Sequence, residues 1–160
     1  MTQELKERIM HFDNNSDPFM RYNHVQLTNV DVGFAQVEVP LSEIHLNCWG
    51  SPHGGILFSI TDIAGGVAVM TLRQEVCVTV STTIEYLAAP APTGTLIATG
   101  RVRRMGRRLC FCDTEVQDET GEGRYSVSPS LYQREGTEER ECWYPRSGHA
   151  QRGSTTARIR

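Results

Sequence analysis

The hydrophobic and polar positions change their spacing several times along the chain. In residues 1–12 apolar side chains recur at helical spacing among charges, which predicts a short surface helix. Residues 14–18, Asn-Asn-Ser-Asp-Pro, have turn composition and should end that helix. Apolar and polar residues then alternate over residues 24–40, which predicts a hairpin of two strands with its turn at residues 31–33.

One long apolar segment follows an irregular loop. It runs from Gly54 to about Arg73 and is apolar around most of its circumference, which predicts a helix buried on nearly all sides. The segment carries polar residues, including Asp62, so it is a poor candidate for a membrane span. The pair Gly65-Gly66 lowers helix propensity and should let a backbone or a ligand approach closely.

Four further segments have the alternation of strands. They cover residues 76–87, 95–104, 107–117 and 124–133, and Pro129 should place the last strand at an edge or bend it. Strands on both sides of one buried helix imply an α+β fold, with an antiparallel sheet of five to six strands wrapped around that helix. Such a sheet has an open edge, which dimerisation would cover.

The domain organisation follows from these patterns. Residues 1–22 form an N-terminal helix and turn, and residues 23–135 form one folded domain. Residues 136–160 are rich in Gly, Ser, Thr and Arg and should be a mobile tail.

Composition and charge indicate the cellular compartment and the kinds of partner to expect. The net charge of −3 gives no strong field for nucleic acid or for an acidic membrane. Five cysteines without a C-x-x-C pair favour reduced thiols. The charged N-terminus is unlike a secretory leader. We therefore expect a cytoplasmic protein that binds neither nucleic acid nor membrane.

The candidate chemistry lies around the start of the apolar helix. A helix that begins after His53 leaves free N–H groups, and Gly54 and Gly55 expose them to a ligand. Asp62 is a lone acid among apolar residues, which is either a site candidate or a carboxylate capped for structural reasons. For His53 the role of a helix-start residue is favoured over proton transfer. Asn47 could be only a loop cap.

These residues also form a recognisable string. Asn47, His53, Gly54, Gly55 and Asp62, in the pattern N-x5-H-G-G-x6-D, resemble the hallmark of hotdog-fold thioesterases. The likeness is to the PaaI-type (phenylacetate-pathway) group of the 4-hydroxybenzoyl-CoA thioesterase-like superfamily, and it extends from about residue 24 to residue 117. It implies the hotdog fold.

The resemblance also implies a mechanism. Asp62 would act as nucleophile or as general base on a water that attacks a thioester carbonyl. The Gly54 N–H would hold the carbonyl oxygen at the helix start, where His53 lies, and Asn47 would help to place substrate or water. Thr79 would supply a hydroxyl near the acid from the opposite subunit, so that the site exists only in a dimer.

The expected substrate is a small aryl- or medium-chain acyl-CoA, hydrolysed to the free acid and CoA without a further cofactor or metal. The expected assembly is a homodimer that pairs into a homotetramer. Arginines at the tight turn could bind the CoA phosphates or be merely solvated. The candidate substrate-binding residues are Gly55, Phe58, Arg103, Arg104, Arg107 and Arg108.

Three other functions compete with hydrolysis. A hotdog enoyl-CoA hydratase would need a histidine at a spacing from the acid that Asp62 and His53 do not have. A hotdog protein that binds acyl-CoA without catalysis is the second alternative. Metal binding through His45, Cys48, His53 and Asp62 is the third, but these residues lack a ligand spacing of any known kind.

Overall fold

The computed structural model describes residues 1–73, 77–121 and 123–134, so the predicted tail at 136–160 lies outside the described residues. The helices are α1 (Gln3–Ser16), α2 (Pro18–Tyr22) and α3 (Gly54–Arg73), with a 3-10 turn at Glu43–His45. The strands are β1 (Gln26–Asp31), β2 (Phe34–Pro40), β3 (Cys77–Thr82), β4 (Glu85–Tyr86), β5 (Thr95–Met105), β6 (Leu109–Asp118) and β7 (Arg124–Arg134).

All strands join one antiparallel sheet in the order β1-β2-β5-β6-β7-β3, and β4 also pairs with β7. Helix α3 packs across this sheet, mainly on β2, β5 and β6. The predicted α+β architecture around one long helix is therefore confirmed. The sheet has seven strands rather than five or six, because the strand predicted at residues 76–87 is interrupted between β3 and β4.

The interruption lies opposite Pro129. The Pro129 carbonyl accepts from the Thr83 N–H at 3.4 Å, so the proline nitrogen faces the same neighbour and has no hydrogen to donate to it. Regular pairing with β7 ends at Thr82 and resumes at Glu85. Strand β7 itself lies inside the sheet, between β6 and β3, so an edge position for Pro129 is wrong.

Helix α3 lies very close to the sheet at two glycines. A Cβ on Gly100 of β5 would come within 2.5 Å of the Ala64 carbonyl oxygen, and a Cβ on Gly65 would overlap the Tyr132 hydroxyl. The predicted close approach of a backbone at Gly65 is confirmed, because the same Cβ on Gly100 would lie 2.9 Å from the Gly65 nitrogen. Gly54–Leu72 is long and apolar enough to span a bilayer, but it is half buried and is the core helix of this fold.

The N-terminal region differs from its prediction. Helix α1 continues to Ser16, and α2 follows at once because Asp17 caps it, accepting from two of its N–H groups, with Pro18 in its first turn. Ile9 and Met20 are buried in the core at 3% and 2% exposure. Helix α1 is therefore the predicted surface helix, with Ile9 as its one buried residue, but it is longer than predicted, and α2 takes the place of most of the predicted turn.

Candidate functional site

The loop that leads into α3 is held by a buried histidine. His45 is 2% exposed, and its Nδ1 accepts from the Ser42 N–H at 3.0 Å. The ring proton is then on Nε2, which donates to the Asn23 carbonyl at 2.9 Å. The His53 N–H donates to the His45 carbonyl at 2.8 Å. These hydrogen bonds fix the position of the backbone just before α3.

Asn47 caps this loop. Its Oδ1 accepts from the N–H groups of Trp49 at 2.9 Å and Ser51 at 3.2 Å. In the described part of the chain no hydrogen bond joins Asn47 to Asp62. The capping interpretation is confirmed, whereas the placing of substrate or water by Asn47 stays a prediction.

The first turn of α3 leaves one N–H available. The Gly55 N–H donates to His53 Nδ1 at 2.9 Å, and the Ile56 N–H donates to the His53 carbonyl at 2.9 Å. Because Nδ1 accepts, His53 carries its ring proton on Nε2. Within the described residues no acceptor takes the Gly54 N–H. A free N–H at a helix N-terminus is suited to hold a negatively charged oxygen.

Asp62 lies two turns further along α3 and is half-buried rather than fully enclosed by apolar residues. The Thr79 hydroxyl donates to its Oδ1 at 2.7 Å. Both residues belong to one chain, so the expectation that Thr79 comes from the opposite subunit is wrong. The physical reason is the topology: β3 follows α3 after a short connection and runs back alongside it.

Two other groups near Asp62 stay protonated. Burial, with smaller contributions from nearby Cys110 and Asp62, raises the pKa of the Cys77 thiol to about 11. Burial, with Asp62 nearby, also raises the pKa of Tyr132, whose hydroxyl donates to the Asp62 carbonyl at 3.1 Å. A protonated thiol is a poor nucleophile, so Cys77 does not compete with the carboxylate.

The helix surface around these groups carries exposed aromatic rings. Phe58 lies one turn before Asp62 on the same face of α3 and is 39% exposed. Tyr86 is 54% exposed, and its hydroxyl donates to the Gly54 carbonyl at 3.1 Å. Tyr86 was absent from the sequence-based site.

A β-bulge explains why Tyr86 was missed. The pairing of β3 with β7 shifts register between Thr79 and Ser81. In an unbroken alternation Thr79 and Tyr86 would point to opposite faces of the sheet. The extra residue in the bulge turns both side chains toward α3, where each has its hydrogen bond.

The four candidate arginines lie elsewhere in the chain. Arg103 forms a two-point ion pair with Asp113, with its Nε 2.8 Å from Oδ2. Arg104, Arg107 and Arg108 are exposed at the turn between β5 and β6. Arg103 is therefore already neutralised by a partner.

That turn lies beside the C-terminal end of α3. The Val102 N–H donates to the Gly33 carbonyl at 2.9 Å, and the Gly33 N–H donates to the Thr71 hydroxyl at 2.8 Å. Gly54 is at the opposite end of the same helix. A single chain does not bring the arginines and the helix start together. No group of three or more metal-ligating side chains occurs in the described residues either.

Comparison with known proteins supports a single family. The model of the family described as "Thioesterase superfamily" matches residues 50–124, which include His53, Gly54, Asp62 and Thr79. The "Putative esterase" of Saccharolobus solfataricus is 32% identical over 107 residues, which are 66% of this chain and 76% of that protein. The chain belongs to the thioesterase superfamily.

Two further comparisons place this thioesterase within the family. "Acyl-coenzyme A thioesterase PaaI" of Escherichia coli is 33% identical over 92 residues, which are 58% of this chain and 65% of that protein. The solved structure of the E. coli PaaI protein superposes with a TM-score of 0.75 at 26% identity, over 82% of this chain and 96% of that one. The protein is thus a hotdog-fold thioester hydrolase of the PaaI type.

Proposed function

We propose that this thioesterase hydrolyses the thioester of a small aryl- or medium-chain acyl-CoA, with Asp62 as its reactive carboxylate. The observation that carries the proposal is the pairing of Asp62 with the Thr79 hydroxyl, on a helix whose first turn leaves the Gly54 N–H free. The E. coli relative that is named an acyl-coenzyme A thioesterase supports the choice of substrate class.

The reaction needs only these groups and water. Asp62 either attacks the thioester carbonyl, forming an anhydride that water then opens, or removes a proton from the attacking water. The thiolate of CoA leaves and takes up a proton, and the acyl group gains the hydroxyl of water. The Thr79 hydroxyl donates to Oδ1 of Asp62, so Oδ2 of Asp62 remains available for the reaction. The chemistry requires no metal or separate cofactor.

The distance between the two parts of the site favours a dimer. A nucleophile and an oxyanion donor must each come within about 3 Å of the reacting carbonyl group. Gly54 and Asp62 are eight positions apart, which is about 12 Å along α3. One thioester cannot contact both within one chain. Two antiparallel copies of α3 would place Gly54 of the partner subunit near Asp62.

The sheet offers an edge for such a dimer. β3 is the last strand of the sheet, and its Val78 and Val80 side chains are 43% and 49% exposed. Pairing of two β3 edges would cover both valines and bring the two α3 helices alongside each other. We propose this homodimer as the active unit and a dimer of dimers as the larger assembly.

Substrate contacts follow from the same arrangement. Phe58 offers an exposed apolar ring beside Asp62 for the acyl group. Gly55 is exposed and has no side chain, so the substrate can approach the start of α3. Arg104, Arg107 and Arg108 are exposed at one turn and are the candidates for the CoA phosphates, whereas Arg103 is paired with Asp113 and is a weaker candidate. Within the described residues no histidine hydrogen-bonds the Asp62 carboxylate, which disfavours the enoyl-CoA hydratase alternative.

The test is release of free thiol from a panel of aryl- and medium-chain acyl-CoAs. Asp62→Asn keeps the size of the side chain but removes the nucleophile and base, so kcat should fall at least about a thousandfold. Glu4→Gln removes one exposed charge at the far end of the chain and is the control. Full activity in Asp62→Asn would refute the mechanism. Binding of acyl-CoA without any hydrolysis by the wild type would favour the non-catalytic alternative.

A further inference from the structure

The peptide unit between Gly54 and Gly55 is held by side chains at both of its ends. Its carbonyl accepts from the Tyr86 hydroxyl at 3.1 Å, and its N–H donates to His53 Nδ1 at 2.9 Å. A peptide unit is planar, so two contacts on opposite sides fix its orientation. We call this arrangement, made by Tyr86 and His53, the peptide clamp.

Together with a second hydrogen bond, the clamp sets the direction of the Gly54 N–H. The preceding peptide plane, between His53 and Gly54, is fixed because its carbonyl accepts from the Ile56 N–H at 2.9 Å. Gly54 joins the two planes, and glycine alone imposes little restriction on its dihedral angles. With both planes held, the Gly54 N–H has one direction. A donor that is oriented before the reaction stabilises a developing oxyanion without reorganising.

The Tyr86 ring has a second effect. A Cβ placed on Gly54 would lie 3.3 Å from the ring carbon Cζ, so the ring packs directly against this glycine. Tyr86 is 54% exposed, so one side of its ring covers Gly54 while the rest is open to solvent.

We propose that Tyr86 is a positioning residue for hydrolysis, which aims the Gly54 N–H at the thioester carbonyl through the peptide clamp. The inference rests on the proposed function of Gly54 as the oxyanion donor. The hydroxyl is not needed for the fold, because β4 is held by backbone pairing of Tyr86 with Ser126 of β7.

The test compares Tyr86→Phe, which removes only the hydroxyl, with Tyr22→Phe, which makes the same change at an exposed tyrosine of α2. For Tyr86→Phe we expect kcat to fall about tenfold, the size seen for residues that orient a catalytic group, with KM within about twofold. Tyr22→Phe should leave both constants unchanged. The double variant Tyr86→Phe, His53→Ala should lose less than the product of the two single losses, because both side chains hold one peptide.

Amide resonances and hydrogen exchange of Gly54 and Gly55 provide a readout that does not depend on activity. Tyr86→Phe should shift both resonances and speed exchange at Gly55, while the thermal midpoint stays within about two degrees. An active wild type with unchanged kcat in Tyr86→Phe would overturn the positioning role and leave the proposed hydrolysis intact. A wild type that hydrolyses no acyl-CoA would refute the proposed function. If the amide resonances and exchange rates of Gly54 and Gly55 were also unchanged in Tyr86→Phe, the peptide clamp would be refuted as well.

Discussion

The carboxyl group of Asp13, near the end of α1, should make the stability of this protein fall as pH rises from 4 to 7. Its Oδ2 is buried and has no hydrogen-bond partner among the described residues. Burial, with a smaller contribution from the charge of Asp17, raises the pKa of Asp13 to about 6. The substitution Asp13→Asn removes the charge and keeps the shape of the side chain.

The expected magnitude follows from the pKa. The folded protein holds this proton more tightly than the unfolded chain, whose pKa is 3.8. The protonated form therefore adds stability below about pH 4, and that contribution is lost as pH rises through 6. A rise of about two pKa units is worth at most about 3 kcal/mol, and because the side chain is only partly buried we expect about 1–2 kcal/mol.

Urea denaturation at pH 4, 5, 6 and 7, at constant ionic strength and protein concentration, measures this contribution. The free energy of unfolding of Asp13→Asn minus that of the wild type should increase by about 1–2 kcal/mol across this range. Other groups cancel in the difference. Asp31 and Asp118, whose pKa values are lowered to about 2 by hydrogen bonds, change protonation mainly below the measured range of pH 4 to 7. A difference that is constant or that decreases would refute the reasoning.

Three further predictions concern α3 and its neighbours. Thr79→Val should lower kcat about tenfold through loss of the hydrogen bond to Asp62, whereas Thr79→Ser should stay within about threefold in the same thiol-release assay. Thr61→Val should raise the free energy of unfolding by about 1 kcal/mol in urea, because the buried Thr61 hydroxyl has no partner in the described part of the chain; a decrease would contradict this. Gly100→Ala should lower the free energy of unfolding by at least about 2 kcal/mol, since its Cβ would meet the Ala64 carbonyl, and an unchanged thermal midpoint would contradict it.

The central helix was predictable because several local signals agree. Its apolar residues surround most of the axis, two glycines mark its start, and the observed span Gly54–Arg73 matches the predicted one. The antiparallel sheet was predictable from alternation, and the position of Asp62 on the helix followed from the motif. These features depend on residues close together in sequence.

Other features depend on contacts between distant residues. Residues 14–18 have turn composition. However, the Asn14 side chain donates to the Leu27 carbonyl and accepts from the Leu27 N–H, and this contact keeps α1 helical to its end. The bulge after Thr79 is visible only in the pairing of β3 with β7. The hydrogen bond from Tyr86 to Gly54 depends on that bulge, so no local pattern indicates it.

The segment that contains β3 and β4 has a consequence for the behaviour of the enzyme in solution. It carries both Thr79, which contacts Asp62, and Tyr86, which contacts Gly54, and β3 is the edge through which we propose that two copies associate. Association and substrate binding would then order the same ten residues, so each should favour the other by thermodynamic linkage. Specific activity should decline on dilution, and a saturating ligand should shift that decline to lower protein concentration.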